Sequence, residues 1–320
     1  MFDIRLIPHR DPLQTDVYNE YKPQGMYIQD WKAIPHRKVD ALTSVFADMA
    51  YTSSEWKGEW TWGAEIQTLF EDIGGNKTFS VSMWARGLSI NADKLNELMP
   101  AWLAQIVKND ATTALKRTMQ TLIERKYISL LTTPANYATG FTSIPTVKWD
   151  AASGSTVQAD IIAVLQKMSK LGLNVTHIIM PQVVMDALTL NSTLMTALHD
   201  ASVPEFIVTT EVLQKFTGIL PSMMFHPQAF SFGRPRAIDM SQGAMANQNQ
   251  IWTDDVVFLH IEDAGMGTYP SIVALDYLVP TIQQLPYNPE TLDTKFIARQ
   301  STTPVLFNKD AAYLLHDVLT

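Results

Sequence analysis

The most regular pattern in the sequence occupies residues 100–131, which read PAWLAQIVKNDATTALKRTMQTLIERKYISLL. Apolar residues recur there at helical spacing and predict one long helix with an apolar stripe from Trp102 to Leu131. Pro100 suits the first turn of such a helix and not its middle. The predicted helix would be roughly 48 Å long, against about 17 Å for an average helix. Its other side is predicted to be solvated and carries Lys108, Asp110, Lys116, Arg117, Glu124 and Arg125.

The segment upstream of this helix predicts a long two-stranded ribbon. Residues 55–62 alternate strictly and place Trp56, Trp60 and Trp62 on one face, with Lys57 on the other. A turn at 72–76 and a second alternating run at 78–85 complete a ribbon over about residues 53–85. A ribbon is marginal alone, and tryptophans on one face would leave a large apolar patch. We therefore expect its own domain or another subunit to cover it.

Residues 1–40 predict an extended arm. Prolines and Gly25 interrupt any periodicity there, yet Tyr27 and Trp31 are too apolar for a solvated tail. We expect the arm to lie on a neighbouring surface. The alternative is a long loop on its own domain. A short helix is predicted over 39–49, and another near 91–98.

After residue 149 the pattern becomes that of a compact α/β domain. A helix is predicted over 156–171 with Gly172 as its stop, then a buried strand at 175–180 and a helix over 181–188. Further helices are predicted at 191–198 and 209–216. Strands are predicted at 222–225, 251–261, 272–279, 294–298 and 305–307, the last three joined by turns that contain proline. The fold class that follows is α+β.

Length and composition exclude several classes of protein. The chain has 320 residues, 46% of them apolar, which suggests about two domains and excludes whole-chain disorder. No stretch of about 18 apolar residues predicts a membrane span, and the first residues show no signal-peptide core. The absence of cysteine excludes disulfides and thiolate metal sites. The net charge of −8 argues against tight, non-specific DNA binding as the main task.

No constellation of catalytic residues is visible. The seven histidines lack zinc-site spacing, and His177 and His260 lie in apolar runs typical of core positions. Residues 74–78 lack the spacing of a phosphate loop, and the acidic pair at 254–255 is expected to be solvated. We therefore predict no catalytic, cofactor-binding or metal-binding residues and no cofactor. This favours a structural protein over an enzyme.

Several strings, taken in their order along the chain, resemble one family. They are Trp149-Asp150 with the following helix, then 172–180 (GLNVTHIIM), 188–191 (LTLN), 207–218 (IVTTEVLQKFTG), 251–257 (IWTDDVV) and 297–305 (IARQSTTPV). Together with the arm, the ribbon and the long helix, they resemble the major capsid protein of tailed phages, which has the Hong Kong 97-type capsid fold. The resemblance covers roughly residues 40–315.

The resemblance implies an organisation of the chain. It implies an N-terminal arm at 1–40 and an axial domain at 150–262. A peripheral domain would comprise 41–149 and 263–320, with an extended ribbon loop at about 53–85 and a spine helix at about 100–131. The ribbon and the arm would lie on neighbouring subunits, so the candidate intersubunit contacts are Trp56, Lys57, Trp60, Trp62, Tyr27 and Trp31.

The resemblance also implies a function. The chain would assemble into pentamers and hexamers of an icosahedral shell around double-stranded DNA, with no enzymatic activity. Its partners would be copies of itself, scaffolding, portal and decoration proteins, and DNA held by weak non-specific contact, with no membrane. Its location would be the virion capsid, assembled in the host cytoplasm.

Three other interpretations stay open at this point. The same fold could serve as an encapsulin-like nanocompartment shell around a cargo enzyme. A two-domain α/β enzyme could use the tryptophan ribbon as a substrate lid, although the sequence offers no convergent polar pocket. A carbohydrate-binding module would use the tryptophans as sugar platforms, but strict alternation over a long ribbon favours packing.

Overall fold

The computed structural model describes residues 9–10, 12–20, 27–28, 34–40, 43–49, 73–91, 100–151, 156–191, 196, 231–233, 251–261, 271–285 and 293–320. The strands in this part of the chain are β1 His9–Arg10, β2 His36–Lys38, β3 Thr43–Met49, β4 Ile73–Ser80, β5 Met83–Asn91, β6 Thr142–Ser143, β7 His177–Ile179, β8 Ser231–Gly233, β9 Val256–Leu259, β10 Ile272–Gln284, β11 Asp293–Leu306 and β12 Ala312–Leu315. The helices are α1 Pro12–Glu20, α2 Ala101–Leu131, α3 Val157–Lys170 and α4 Gln182–Thr189.

The first sheet is built around a pair of long antiparallel strands. Its order is β1-β10-β11-β5, and β2 also pairs with β10. Strand β10 extends the predicted strand at 272–279 to Gln284, and β11 joins the predicted strands at 294–298 and 305–307, so the turn predicted between those two is wrong. Pro280 lies inside β10 at a register shift between Leu278 and Thr281. The strand therefore continues past this proline, because a bulge accommodates a residue that cannot donate a hydrogen bond.

The spine helix α2 packs on one face of this sheet. Its 31 residues confirm the predicted long helix. Leu115 and Met119 contact Ile282, Phe296 and Ala298 of the sheet. At the other end, the Tyr137 hydroxyl donates to the carbonyl of Leu131 at 2.5 Å. Burial raises the pKa of Tyr137, which keeps this donor protonated.

Two predictions about the sides of the spine helix are wrong. Trp102 and Ile106 belong to the predicted apolar stripe but are 66% and 46% exposed. Helical periodicity predicts the side of the helix on which a residue lies. It does not predict how far along the helix the sheet that covers this side extends. Glu124, predicted to be solvated, is completely buried.

The second sheet has the order β6-β12-β9-β7-β8, and the main core lies around it. All four residues of β9 are buried. The predicted helices at 156–171 and 181–188 are confirmed as α3 and α4, and the strands at 175–180 and 251–261 as the shorter β7 and β9. Gly172 adopts φ +73° just after α3, a conformation that stops the helix and favours glycine. Strands β6 and β12 complete this sheet, and the boundaries near 150 and 262 stay a prediction.

The base of the predicted ribbon differs from its expected form. Strand β3 pairs with β4 in a separate two-stranded sheet, so the helix predicted over 39–49 is wrong. The turn predicted at 72–76 is also wrong in its described part, because residues 73–76 lie within β4. Cross-strand pairing outweighs the local signal of Gly74 and Gly75. Residues 50–72, with the predicted strand at 55–62, lie outside the described residues, as do 92–99 and 201–230.

The N-terminal region is anchored on the same chain. Pro12 begins helix α1 where the sequence analysis predicted an extended conformation, because proline fits the first turn of a helix. The Gln14 side chain accepts a hydrogen bond from Thr112 Oγ1 at 2.5 Å and donates to Asn109 Oδ1 at 3.2 Å. The Thr15 hydroxyl accepts from the backbone N–H of Ile282 at 3.2 Å. Helix α1 is thereby tied to both the spine helix and β10.

A buried carboxylate joins three segments of the chain. Both oxygens of Glu124 accept the backbone N–H of Ile28, at 2.8 and 3.0 Å. Glu124 Oε1 also accepts the indole N–H of Trp252 at 2.7 Å. Burying a carboxylate is costly unless hydrogen bonds replace its lost hydration, and these donors supply them. The contact fixes the N-terminal segment and Trp252, which lies just before β9, to the spine helix.

The C-terminal residues are held by three aspartates. Asp255 Oδ1 accepts the N–H of Asp317 at 3.0 Å, and Asp254 Oδ2 accepts that of Leu319 at 3.1 Å. Asp150 Oδ2 accepts the N–H of Thr320 at 3.1 Å. The acidic pair at 254–255 was expected to be solvated, but Asp255 is only 7% exposed. These carboxylates act as acceptors for backbone donors that lie outside any helix or strand.

The first testable prediction concerns Glu124. Glu124→Leu leaves the donors of Ile28 and Trp252 without their acceptor, which should cost about 1–3 kcal/mol for each. Glu124→Gln keeps one oxygen and should cost less. Urea unfolding measures both, with Trp252→Phe as the control that removes one donor only. A Glu124→Leu chain as stable as wild type would contradict the role given to the carboxylate.

The second prediction concerns the C-terminal residues at low pH. The Thr320 side-chain hydrogen bond lowers the pKa of Asp150, and the hydrogen bond from Lys148 lowers that of Asp317. A lowered pKa stabilises the fold above the ordinary value of about 3.9, and this contribution is lost as pH falls through the lowered value. We expect residues 317–320 to lose protection below about pH 4.

Amide hydrogen exchange, corrected for intrinsic rates, measures this loss. Asp150→Asn keeps one oxygen acceptor but cannot titrate, so its Thr320 amide should show a weaker dependence on pH. An identical acid transition at Thr320 in the variant and in wild type would contradict the assignment to Asp150.

Candidate functional site

The described residues bring together no cluster typical of catalysis or metal binding. Among them, no group of three or more histidine, aspartate, glutamate or cysteine side chains is placed to hold a metal ion. His260 is buried, and its Nδ1 lies 2.6 Å from the carbonyl oxygen of Asn174. In the part of the chain that the structure describes, no helix has the length and apolarity to cross a membrane. The candidate functional features of the described chain lie on its surface.

The predicted intersubunit residues fall into two groups. Tyr27 is only 5% exposed in the single chain, and its hydroxyl lies 3.4 Å from Thr121 Oγ1 on the spine helix. Its own chain therefore supplies the cover that the sequence analysis assigned to a neighbour. The other candidates lie outside the described residues, and they are Trp31, Trp56, Lys57, Trp60 and Trp62.

An apolar surface remains at the N-terminal end of the spine helix. Trp102 and Ile106 are four residues apart, so their side chains are neighbours on one face of α2. Their exposures of 66% and 46% are high for side chains of this size. Such apolar surface is typical of a contact with another molecule.

Strand β5 forms one edge of the first sheet. It pairs with β11 along its full length, from Met83 opposite Ser301 to Asn91 opposite Asp293. No other described strand pairs with it. Residues 85–89 are all exposed, including Gly87, whose exposure is that of the backbone itself.

Basic side chains surround this edge strand on both faces of the sheet. Phe296 and Ala298 face the spine helix, so their neighbours Lys295 and Arg299 point to the opposite face. Lys295 Cε would lie 2.8 Å from a Cβ added to Gly87, so its ammonium group lies over β5. On the helix side, Arg86 is exposed, and Lys126 Nζ lies 5.7 Å from the centre of the Trp84 ring.

The sequence analysis did not identify this basic surface. Lys295, Arg299, Arg86 and Lys126 come from three separate segments, which the pairing of β5 with β11 and the packing of the spine helix on the sheet bring together. The alternation of lysine and arginine with buried residues in 295–299 was the available signal. In the described part of the chain, no carboxylate forms an ion pair with any of these four side chains.

Comparisons with known proteins identify the fold. No family model matches the chain, and no curated protein sequence matches it. Among solved structures, a phage-related protein from Bordetella bronchiseptica RB50 is similar, with a TM-score of 0.67, 12% identity and 98% of each chain covered. The encapsulin SrpI from Synechococcus elongatus PCC 7942 is similar with a TM-score of 0.53 and 11% identity, over 98% of this chain and 96% of that one.

A third similar structure is the capsid of Cyanophage P-SCSP1u, with a TM-score of 0.50 and 10% identity, over 92% of this chain and 89% of that one. At such low identity the likeness concerns the fold alone. It extends over almost the whole chain and agrees with the mixed sheets, the spine helix and the α/β layer described above. The chain has the α+β Hong Kong 97-type capsid fold that the sequence analysis predicted.

Proposed function

We propose that this chain is the major capsid protein of a tailed phage, a structural protein that assembles into an icosahedral shell around double-stranded DNA. The likeness to a phage-related protein over 98% of both chains is the observation that supports this best. The cyanophage capsid, with 92% of this chain covered, supports it further. The role is structural, without enzymatic activity.

The surface of the described chain suits such an assembly. Rings of five or six subunits are closed by heterologous contacts, in which two different surfaces meet. Trp102 and Ile106 offer exposed apolar area for such contacts, and β5 offers a sheet edge. Assemblies of this kind bury interfaces of roughly 2,000–5,000 Å². The net charge of −8 suits a shell that holds DNA weakly, because strong phosphate contacts would impede packaging and release.

Further parts of the proposal concern partners and location. The ribbon that includes Trp56, Trp60 and Trp62, with Lys57, would lie on a neighbouring subunit, and Trp31 would contact a neighbour from the arm. Scaffolding, portal and decoration proteins would be the other protein partners, and the shell would assemble in the host cytoplasm to become the virion capsid. Tyr27 is not part of this proposal, because its own chain buries it.

A second candidate is a nanocompartment shell that encloses a cargo protein. The observation that favours it is the likeness to the Synechococcus elongatus encapsulin, with 98% and 96% of the two chains covered. The two candidates share the fold and differ in what the shell contains. The contents of the particle therefore decide between them.

The third prediction tests the shell itself. The purified chain, expressed with its neighbouring genes, should form uniform hollow particles tens of nanometres across in negative-stain electron microscopy. Nuclease-protected DNA inside particles from infected cells supports the capsid, and a protein cargo supports the nanocompartment. A chain that stays monomeric or dimeric under these conditions would contradict both.

The fourth prediction concerns the ribbon. Trp60→Ala should weaken particle formation and leave the unfolding of the free subunit nearly unchanged, because the proposal places its cover in another subunit. Trp149→Ala is the matched control, because Trp149 is completely buried in the main core and its truncation should cost about 3–5 kcal/mol. Circular dichroism and sedimentation separate the two effects. Loss of secondary structure in Trp60→Ala at ordinary temperature would contradict the intersubunit role.

A further inference from the structure

We propose that strand β5 is a docking edge for an extended, acidic segment of a second copy of this chain, which adds to the first sheet as a further strand. The proposal rests on the proposed function, since it names one contact by which subunits associate. It is built from the described residues of β5, β11 and the spine helix.

The geometry of β5 provides room for an added strand. A sheet edge exposes a row of unpaired N–H and C=O groups, and an extended segment can pair with it along its length. Strand β5 is 9 residues long, well above the length of the short edge strands that resist such pairing. Ala85, Gly87 and Ser89 are small and exposed on the face away from the spine helix. Their own side chains therefore do not block the approach of an added strand.

The charge of this edge selects an acidic occupant. Lys295 and Arg299 stand on one face of the sheet, and Arg86 and Lys126 on the other, so that an added strand would lie between two pairs of positive charges. Strand β5 contributes no acidic side chain of its own. Opposite charges on adjacent strands stabilise their pairing, and like charges oppose it.

The balance of charge in the chain points to a second copy as the occupant. The chain as a whole carries a net charge of −8, so the acidic excess lies outside this basic edge. One copy therefore offers a basic edge and another an acidic surface, which is the complementary pair that a heterologous contact requires.

Basic residues at a sheet edge have a second known use, which is to prevent pairing. The two uses predict opposite effects of removing charge. If Lys295 and Arg299 protect the edge, neutral variants should associate more strongly. If they bind an acidic strand, neutral variants should associate more weakly.

The first experiment uses the absence of cysteine from the chain. Ser89→Cys places one thiol on β5, and a benzophenone-maleimide label on it reacts with whatever lies beside the edge. Ser129→Cys is the control, because Ser129 is also exposed but lies on the spine helix. We expect the Ser89 label to cross-link to an acidic peptide of a second copy, and the control to do so much less.

Isotope mixing identifies the partner. Equal amounts of light and heavy chains are assembled before illumination, and a light–heavy cross-linked peptide shows a contact between copies. Cross-links that are only intramolecular, that reach a different co-expressed protein, or that are equally frequent from Ser129 would overturn the proposal.

The second experiment removes the charges. The double variant Lys295→Gln/Arg299→Gln should weaken association at low salt by roughly two- to tenfold, measured by sedimentation, with unchanged thermal unfolding of the subunit. Lys170→Gln/Lys309→Gln is the matched control, with two exposed lysines elsewhere. Equal weakening in both pairs, no change, or stronger association of the first pair would overturn the proposal.

The outcomes separate this proposal from the proposed function. If wild type and the double variant form the same particles with equal affinity, the docking edge is wrong and the shell stands. If wild-type chains expressed with their neighbouring genes sediment as monomers at all concentrations, both are wrong.

Discussion

The buried carboxylate of Glu124 is the contact on which the arrangement of the chain depends. Its oxygens accept the N–H of Ile28 and the indole N–H of Trp252, and no solvent reaches it. Any displacement of the N-terminal segment or of Trp252 leaves buried carboxyl oxygens with fewer donors, and an unsatisfied buried polar group is costly. The spine helix, the segment around Ile28 and the residues that lead into β9 therefore hold one relative position.

The spine helix couples the two sheets because different parts of it enter different cores. Leu115 and Met119 pack on the first sheet, whereas Ile123, Tyr127 and Leu131 belong to the core around the second. Glu124 follows Ile123 directly, at the start of the part of the helix that enters the second core. One rigid helix thus gives the chain a fixed frame. The edge strand β5 packs against this helix, and the exposed Trp102 and Ile106 lie on it.

The parts of the fold that the sequence predicted are those set by local periodicity. Helices α2, α3 and α4 follow from apolar spacing and from Pro100, Gly172 and Pro181. Strand β3 and the course of β4 through Gly74 and Gly75 depend on their pairing with each other, which no local window contains. The burial of Glu124 was missed for the same reason, because its donors lie 96 and 128 residues away. The neighbouring polar residues Gln120 and Thr121 are also buried, but their burial is not visible in the sequence.

The basic side chains around β5 show that the net charge of a whole chain does not predict the charge of a particular surface. A net charge of −8 describes an acidic protein, yet strand pairing and the packing of the spine helix gather four positive side chains around β5. Exposed ion pairs contribute little each and are screened by salt, so a contact built from them is weak and adjustable. Under the proposed function this property suits the closure of rings of more than one size, because weak rim contacts can shift while the frame fixed by Glu124 stays rigid. In the proposed shell, apolar surfaces such as that of Trp102 and Ile106 would supply the strength of the contacts, and backbone pairing at β5 would supply their geometry.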